Sequence, residues 1–528
     1  MARLADSLAQ AVKQAQSRPH VATLSEARKH YVQGTTLLHQ RRFAEAETYL
    51  REALRLKPED ADVLNNLGTA IWEQGRSTEA TAYYLRAYQF KRNDFGILNN
   101  LGMVLWEQGR PERAVEYYRR ALELNPDSFD TQMNLGVSLS DIGRFDDALV
   151  WLRSATRMRP SSADAWDNVG MTLARQGHWD QAMKCYDEAI RLRPDFGEAR
   201  RNRGLGWLTL GDFERGFPEA EWRFKCRNPG GLNFPRPRWA GEPLEGRTIL
   251  LHFEQGLGDT LQFIRFAPQV KERGGQVWVL CQPPLMRLMS MSPGVDLVMD
   301  GSSPFPNFHL HAPLMSIPAI IGTSEATLPR DPYLFADARA IALWRPALTQ
   351  ALGVADLNSV FKIGIAWQGN PTNRLDRWRS FPLAWFAQLA NLPGVRLVSL
   401  QKGPGVEQLA ALAGRFPVAN LEYRFDGLED KRDFLDTAAV ISLLDLVITP
   451  ETAVAHLAGG LGVRTWVALS TVGDWRWMHT GDSCPWYPSA RLFRKGQTNT
   501  WDDVIAGVAN ELAARAASST AREQPAPI

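Results

Sequence analysis

This sequence has few cysteines, little net charge and no long apolar runs. Its 528 residues include four cysteines, Cys185, Cys226, Cys281 and Cys484, which have neither CxxC spacing nor a nearby histidine cluster. This pattern argues against zinc and against a disulfide framework, and free thiols fit a reducing compartment. The 60 basic and 58 acidic side chains give a net charge of +2, so nothing points to nucleic acid or to an anionic membrane as a partner.

Targeting and membrane signals are missing as well. The N-terminal residues lack the apolar core of a secretory signal, and no stretch of about 18 apolar residues occurs anywhere. We therefore expect a cytoplasmic protein without a transmembrane segment. The length is sufficient for about three domains.

What the sequence has instead is a repeat with a period of 34 residues. Glycine recurs at this spacing at Gly34, Gly68, Gly102, Gly136, Gly170 and Gly204. The period is typical of tetratricopeptide repeats, in which each unit is a pair of short helices. Proline closes several units, at Pro58, Pro126, Pro160 and Pro194, because it cannot continue a helix. We predict six repeats over residues 27–227, preceded by an N-terminal helical extension over residues 1–26.

One column of the repeat is polar. Asparagine lies two residues before five of the repeated glycines, at Asn66, Asn100, Asn134, Asn168 and Asn202. In a solenoid of helix pairs these amides are expected on the concave face, where they could bind the backbone of an extended peptide. In the alternative interpretation each amide bonds a backbone group of the neighbouring repeat. The column resembles the asparagine ladder of O-GlcNAc transferases, which implies a protein or peptide acceptor in the groove.

The composition changes after the repeats. Residues 228–247 are rich in proline and glycine and predict a linker. Apolar strands then alternate with amphipathic helices in two series, which predicts parallel sheets covered by helices. The predicted fold class is thus an α-solenoid of tetratricopeptide repeats followed by an α/β region with two Rossmann-like lobes, over residues 248–345 and 346–515. A disordered tail is predicted over residues 516–528.

The first strand of this region leads into a glycine-rich turn, FEQGLGDTLQF. Gly256 and Gly258 would allow a substrate to approach the backbone closely, and Asp259 would lie at a helix N-terminus at the edge of the sheet where ligands bind. The turn lacks the GxGxxG spacing, so it does not predict a dinucleotide site. Asp259 could instead do no more than cap its helix.

A second candidate segment is LDLVITPETAVAHLAGGLG, residues 444–462. We predict that the strand ends at Thr449, that Pro450 begins a helix, and that Glu451, Thr452 and Ala453 form its first turn. Such a turn suits a phosphate group. His456 follows about one turn later and is equally compatible with simple packing. Farther on, the aromatic residues of 474–495 could stack on a base or sugar or could fill the core.

Together these segments resemble the heptosyltransferases of glycosyltransferase family 9, inverting enzymes with the two-lobed GT-B fold. The resemblance implies that Asp259 is the general base, that Arg379 in WRSFP binds the donor diphosphate, and that Glu407 in QKGPGVEQL binds the ribose. Lys402 is a further candidate cation, because the departing diphosphate needs its negative charge stabilised. It also implies that Glu451, Thr452, Ala453 and His456 occupy the positions of a donor-binding motif. That motif has aspartate where this chain has Glu451.

The resemblance implies an inverting glycosyltransferase that moves a sugar from a nucleotide-diphospho-sugar to a protein, such as flagellin or another surface protein, bound by the repeats. No metal or other cofactor is expected, because cations and a helix N-terminus can stabilise the leaving diphosphate. One alternative is a transferase that acts on a lipid-linked glycan. Another is a non-catalytic scaffold that carries a transferase-like domain.

Overall fold

The computed structural model describes residues 23–227, 231–302, 306–373, 376–421, 433–496 and 500–522. Its contacts divide the chain into two compact units, Met1–Arg193 and Pro194–Ile528. Most of the predicted N-terminal extension lies outside the described residues. In the described part of the chain, no helix is both long enough and apolar enough to cross a membrane.

Residues 23–220 form consecutive helix pairs joined by short turns. Ten helices lie in the first unit: α1 (23–39), α2 (Phe43–Leu56), α3 (Ala61–Trp72), α4 (Ser77–Phe90), α5 (Phe95–Glu107), α6 (Pro111–Leu124), α7 (Phe129–Asp141), α8 (Phe145–Met158), α9 (Ala163–Arg175) and α10 (Trp179–Leu192). The sixth pair, α11 (Gly197–Thr209) and α12 (Phe213–Ala220), belongs to the second unit. The described residues thus contain the six predicted helix pairs.

The repeated residues explain why these pairs form. Asp60 and Asp94 cap the starts of α3 and α5 by accepting backbone N–H bonds. Gly75 has a φ of +81° in the turn between α3 and α4, a conformation that favours glycine. A Cβ at Gly102 would lie 2.5 Å from the ring of Tyr118, so the glycine column allows the two helices of each pair to pack closely.

The second unit contains two parallel sheets. The first has four strands, β1 (Thr248–His252), β2 (Gln276–Leu280), β3 (Leu297–Met299) and β4 (Leu310–Pro313), in the order β3-β2-β1-β4. The second has six, β5 (Phe361–Ile365), β6 (Val395–Ser399), β7 (Val418–Ala419), β8 (Leu446–Pro450), β9 (Thr465–Leu469) and β10 (Ala490–Arg494), in the order β10-β9-β8-β5-β6-β7. All the strand pairs that join these elements are parallel. This architecture confirms the predicted fold class.

Helices follow the strands along the chain, as expected for alternating strands and helices. They are α13 (Leu257–Phe263), α14 (Ala267–Lys271), α15 (Met286–Met289), α16 (Ile317–Ile321), α17 (Ala338–Leu352), α18 (Asp376–Arg379), α19 (Ala387–Ala390), α20 (Glu407–Ala411), α21 (Phe434–Ile441), α22 (Ala453–Gly460) and α23 (Asp502–Arg522). Because α23 continues to Arg522, residues 516–522 are helical rather than the disordered tail predicted from the sequence. Alanines in AARAASSTAR favour this continuation.

The predicted linker packs against the first sheet. Trp239 is buried, its N–H donates to the carbonyl of His311 on β4, and the N–H of His311 donates to the carbonyl of Pro237. Residues 231–247 therefore extend the core of this lobe instead of running freely between domains. The first three residues of the predicted linker, 228–230, lie outside the described part.

Two buried histidines meet beneath this segment. His252 Nε2 lies 3.2 Å from His311 Nδ1, and the ring of Phe234 packs on both imidazoles. Burial lowers the pKa of His252 to about 4 and also lowers the pKa of His311. Both rings are therefore neutral at pH 7.

The sixth helix pair is part of the same core as the second unit's sheets. Phe213 and Phe217 of α12 pack against Trp486 at ring-centroid distances of 5.5 and 6.2 Å. The N–H of His479 donates to the carbonyl of Thr209 at the end of α11. This pair therefore supports the segment that follows β9.

Candidate active site

The glycine-rich turn after β1 places Asp259 in the first turn of α13. Gly256 is the N-cap, and its N–H donates to Asp259 Oδ2 at 2.8 Å. The capping role considered from the sequence is therefore present. It uses one carboxylate oxygen and leaves the other for a different contact.

Arg476 makes that other contact, although the sequence did not single it out. Its Nη2 donates to Asp259 Oδ1 at 2.6 Å, and its Nη1 donates to Asp474 Oδ1 at 2.8 Å. Burial disfavours the charged guanidinium, but the carboxylates of Asp474 and Asp259 keep the pKa of Arg476 above its ordinary value. Arg476 thus links a carboxylate of the first lobe to one of the second.

Helices from the two lobes touch at Gly258. A Cβ at this position would lie 2.9 Å from His456 Cδ2 and 3.7 Å from Ala453 Cα, both on α22. The space that a side chain at 258 would need is therefore taken by His456. Gly258 allows α13 and α22 to approach closely, which places Asp259 beside the turn that precedes α22.

The start of α22 differs from the prediction. Pro450 is the last residue of β8, Thr452 is the N-cap, and the helix begins at Ala453 rather than at Pro450. Pro450 is in register with Ala468 of β9, so it belongs to the strand instead of the helix. Thr452 Oγ1 bonds Thr449 Oγ1 at 2.9 Å instead of capping the helix. The first N–H groups of α22 therefore receive no side-chain cap.

Glu451 lies in this turn and points toward the segment after β9. Its Oε2 accepts the N–H of Asp474 at 3.2 Å, while its Oε1 is buried and has no hydrogen-bond partner in the described part of the chain. Burial and the negative charge of Asp474 raise the pKa of Glu451 to about 7. The carboxyl group can therefore both accept and donate hydrogen bonds near neutral pH.

His456 is a packed residue of α22. It is buried, its ring stacks on Trp477 at 5.3 Å, and its Nδ1 lies 2.9 Å from the hydroxyl of Tyr487. Burial and the charges of Arg476, Arg265 and Arg379 hold the pKa of His456 well below its ordinary value. It is a neutral group at pH 7.

The aromatic side chains after β9 belong to the core. Trp475, Trp477, Trp486 and Tyr487 are all buried. The core-filling interpretation of this segment is therefore confirmed for these four residues.

A second buried guanidinium lies beneath the site. Arg265 is 2% exposed, and it donates to the carbonyl of Trp486 at 2.8 Å and to the hydroxyl of Tyr333 at 3.0 Å. Its partners in the described part of the chain are carbonyl and hydroxyl oxygens, without a carboxylate. Its positive charge is thus not neutralised by an ion pair, and it acts on His456.

Arg379 is positioned by Asp376. Asp376 is buried, and its carboxylate accepts bonds from Arg379 Nε and from Ser380 Oγ, each at 3.0 Å. The charge of Arg379 influences the pKa of both Glu451 and His456. Glu451 precedes α22 and His456 lies on it, so the charge of Arg379 acts on this region.

The other two predicted donor-binding residues have local contacts. Lys402 donates to the carbonyl of Asp433 at 3.2 Å and lies over the ring of Phe434. Glu407 is exposed and accepts the N–H of Gly405 at 2.8 Å. Both follow β6, which lies on the opposite side of β5 from β8.

The asparagine column is half-buried along its whole length. Asn66 Nδ2 donates to Thr35 Oγ1 at 3.1 Å, and Asn100 Nδ2 donates to Asn65 Oδ1 at 3.0 Å. The partners of these two amides are side chains of the preceding repeat, not backbone groups. Asn202 Oδ1 accepts a bond from Arg201.

No group of three or more His, Cys, Asp or Glu side chains arranged to hold a metal ion occurs among residues whose structure is described. The four cysteines are free thiols.

Comparison with known families supports the reading of the repeats. A tetratricopeptide-repeat family model matches residues 31–95 and 99–163, and a second one matches residues 163–196. The N-terminal part of this chain is therefore made of tetratricopeptide repeats.

Protein FlbA of Caulobacter vibrioides is a distant relative. The alignment is 333 residues long with 29% identity, and it covers 59% of this chain and 54% of FlbA. The chain thus matches about half the length of this curated relative.

Solved structures match the repeats. One is YrrB, a "TPR protein with an unusual peptide-binding site", with 26% identity over 32% of this chain and 88% of its own and a TM-score of 0.30. Another is PilF of Pseudomonas aeruginosa, with 20% identity over 38% of this chain and 92% of its own and a TM-score of 0.33. At these low scores the likenesses carry no argument about function.

Proposed function

We propose that this protein is an inverting glycosyltransferase, similar to the heptosyltransferases of family 9, that transfers a sugar from a nucleotide-diphospho-sugar to a protein bound by its repeats. The main support is the contact between α13 and α22 at Gly258, because it places Asp259 of one lobe beside the Glu451 turn of the other. In the proposed site Asp259 supplies the base, Arg379 the cation and the start of α22 an uncapped helix N-terminus. Inverting sugar transfer needs a base for the acceptor hydroxyl and cationic or dipolar groups for the departing diphosphate.

In the proposed reaction the acceptor hydroxyl loses its proton to Asp259 while its oxygen attacks the anomeric carbon. The bond between that carbon and the diphosphate oxygen breaks, and the electron pair leaves with the diphosphate. Arg379 and the first N–H groups of α22 would stabilise the developing negative charge. Arg476 would orient the carboxylate of Asp259, and the oxygen lone pairs that remain unused can accept the hydroxyl proton.

The repeats are proposed to hold the acceptor polypeptide. Tetratricopeptide repeats form extended concave surfaces, which suits a protein partner. The side-chain oxygens of Asn66 and Asn100 are not used in the hydrogen bonds that their Nδ2 atoms donate. These oxygens would accept backbone N–H groups of the acceptor.

Asp259→Asn tests the proposed base. We expect the rate of sugar transfer to fall by roughly 10²–10⁴-fold, with the affinity for the nucleotide-sugar nearly unchanged. Arg379→Ala is expected to weaken both binding and transfer. Asp337→Asn is a matched control, because Asp337 caps α17 and asparagine caps a helix equally well. Normal transfer by Asp259→Asn would place the base elsewhere.

One observation favours the second candidate, a scaffold that no longer catalyses transfer. Both carboxylate oxygens of Asp259 already have partners, the N–H of Gly256 and the guanidinium of Arg476. A scaffold would bind nucleotide-sugars, seen as an increase in thermal stability, without hydrolysing or transferring the sugar. Measurable donor hydrolysis that Asp259→Asn abolishes would exclude it.

A further inference from the structure

Two buried polar atoms at one edge of the second sheet have no hydrogen-bond partner among the residues that the structure describes. They are Glu451 Oε1 and Arg494 Nη1. Glu451 directly follows β8 and Arg494 ends β10, and these parallel strands are separated only by β9. Both side chains therefore lie at the carboxyl edge of the sheet, with their strands about 10 Å apart.

Each side chain is fixed by its remaining polar atoms. Glu451 Oε2 accepts the N–H of Asp474, and a Cβ at Gly473 would lie 2.8 Å from Glu451 Oε1. Arg494 Nε donates to the carbonyl of Gly481 at 3.2 Å, and its Nη2 donates to the carbonyl of Trp477. The two unpartnered atoms thus belong to groups whose positions are set by other contacts.

The two groups interact through their charges without touching. Arg494 influences the pKa of Glu451, and Glu451 influences that of Arg494. These two described residues nevertheless form neither a direct ion pair nor a hydrogen bond with each other. A buried donor and a buried acceptor without partners cost free energy, which a ligand that contacts both would recover.

The chemistry of the pair selects the ligand. Arg494 Nη1 can only donate a hydrogen bond, and a carboxylate oxygen of Glu451 can accept one. A hydroxyl group fits both, since it accepts from the guanidinium and donates to the carboxylate. A phosphate would be repelled by ionised Glu451 and would bring no proton to it. A nucleobase or an apolar group would leave the polar atoms unpaired.

We propose that Glu451 and Arg494 together bind a hydroxyl of the donor's sugar ring and so help select which sugar is transferred. This inference rests on the proposed function. Arg494 acts as a specificity residue for the sugar, whereas Arg379 acts on the diphosphate. Glu451 is one methylene longer than aspartate, and its carboxyl group reaches Gly473 and the N–H of Asp474.

The test compares binding of the nucleotide with and without its sugar. Full-length protein is titrated with ADP, GDP and UDP and with ADP-glucose, GDP-mannose and UDP-glucose. For the nucleotide that binds, we expect the sugar form to bind more tightly than the diphosphate. Arg494→Met and Glu451→Ala should each weaken the sugar form at least tenfold and change the affinity for the diphosphate by less than twofold. The double variant should lose little more than either single variant, because one hydroxyl contacts both residues.

Controls separate folding from binding. Arg491→Lys changes an exposed arginine of the same strand, which pairs with Asp482 and Glu511, and should leave both affinities unchanged. Arg494→Lys keeps the positive charge but replaces the guanidinium group with a single ammonium nitrogen. If Arg494→Met does not fold, Arg494→Lys should weaken binding of the sugar form. Thermal unfolding midpoints identify variants that are not folded.

The outcomes distinguish the two proposals. If the unaltered protein binds none of the nucleotides or their sugar forms, the proposed function fails and this inference fails with it. If nucleotides bind but the variants weaken the diphosphate and the sugar form equally, Arg494 and Glu451 contact the phosphates and the inference alone is wrong. If the variants change neither affinity, the two atoms bond a fixed water, and the inference is again overturned.

Discussion

Polar side chains are paired at very different distances along the chain in the two units. In the unit Met1–Arg193, Asn100 bonds Asn65, 35 residues away, and Arg175 bonds Asp141, 34 residues away. In the unit Pro194–Ile528, Arg476 bonds Asp259, 217 residues away. Contacts of the first kind repeat with the sequence period, whereas contacts of the second kind exist only after two lobes have come together. The contacts within the repeats can thus be understood from one repeat and its neighbour along the chain. The contacts of the candidate site cannot.

The largest difference between the units is expected from removing one arginine in each. Arg476→Met should lower the free energy of unfolding by about 3 kcal/mol, because it leaves the carboxylates of Asp259 and Asp474 without their buried partner. Arg175→Met should cost less than about 1 kcal/mol, since its ion pair with Asp141 is partly exposed. Denaturant titration measures both. Equal losses in the free energy of unfolding would show that burial does not make the Arg476 ion pairs more stabilising than the partly exposed pair of Arg175.

A smaller effect is expected inside one repeat. Gly102→Ala should destabilise the first unit by about 2 kcal/mol, because the new methyl group would overlap the buried ring of Tyr118. Gly96→Ala lies on the same helix, where the nearest atom to a Cβ is Asp94 Oδ1 at 3.4 Å. It should be neutral or stabilising by up to about 1 kcal/mol. Hydrogen exchange of peptides from α5 and α6 can report both, and similar behaviour of the two variants would refute the role given to the glycine column.

The buried histidines make the second unit sensitive to acid. The pKa of His252 is about 4 in the folded protein, below the ordinary value of 6.5, so the unfolded chain takes up a proton first as the pH falls. Stability is therefore complete above pH 6.5 and decreases as the pH falls toward 4. The loss between pH 7 and 5.5 should be about 1 kcal/mol, and it should be smaller in His252→Gln. His178→Gln, at an exposed position of the first unit, should keep the full pH dependence.

The smallest effect on stability is expected in the asparagine column. The triple change of Asn100, Asn134 and Asn168 to alanine should impair modification of a protein acceptor while donor hydrolysis survives. Each lost hydrogen bond contributes only about 0.5–1.5 kcal/mol, so the triple variant is the appropriate test. Asn125→Ala, at an exposed position outside the column, serves as the control.

Two results would contradict that expectation. If acceptor binding falls only in step with unfolding, the amides serve the repeats alone. If the triple variant is stable and fully active on protein, neither interpretation of the column is correct.

The difference in contact distance also explains what the sequence could predict. The 34-residue period identified the six helix pairs, because each repeat carries its own caps, turn glycine and small residues. The apolar runs identified most of the strands in both sheets. The start of α22 was predicted three residues too early, since proline is common at the first position of a helix but here pairs with Ala468 as the last residue of β8.

The site was predictable only in part. Asp259, Arg379 and Glu451 could be found because they stand beside strand ends or in recognisable motifs. Arg476 and Arg494 could not be found, because the role proposed for each depends on contacts with residues in other parts of the fold. The local signal for Arg476 is its place between two tryptophans directly after Asp474. Those tryptophans suggest stacking on a ligand and give no indication of an ion pair with Asp259.

The sixth helix pair has a consequence for how such a chain can change over evolution. Phe213 and Phe217 join this pair to the core that contains Trp486, so it is inherited with the α/β region as a single block. The five pairs before it repeat every 34 residues and contact their neighbours through the same small residues. The number of helix pairs upstream of α11 can therefore change without altering the contacts of Phe213 and Phe217 with Trp486.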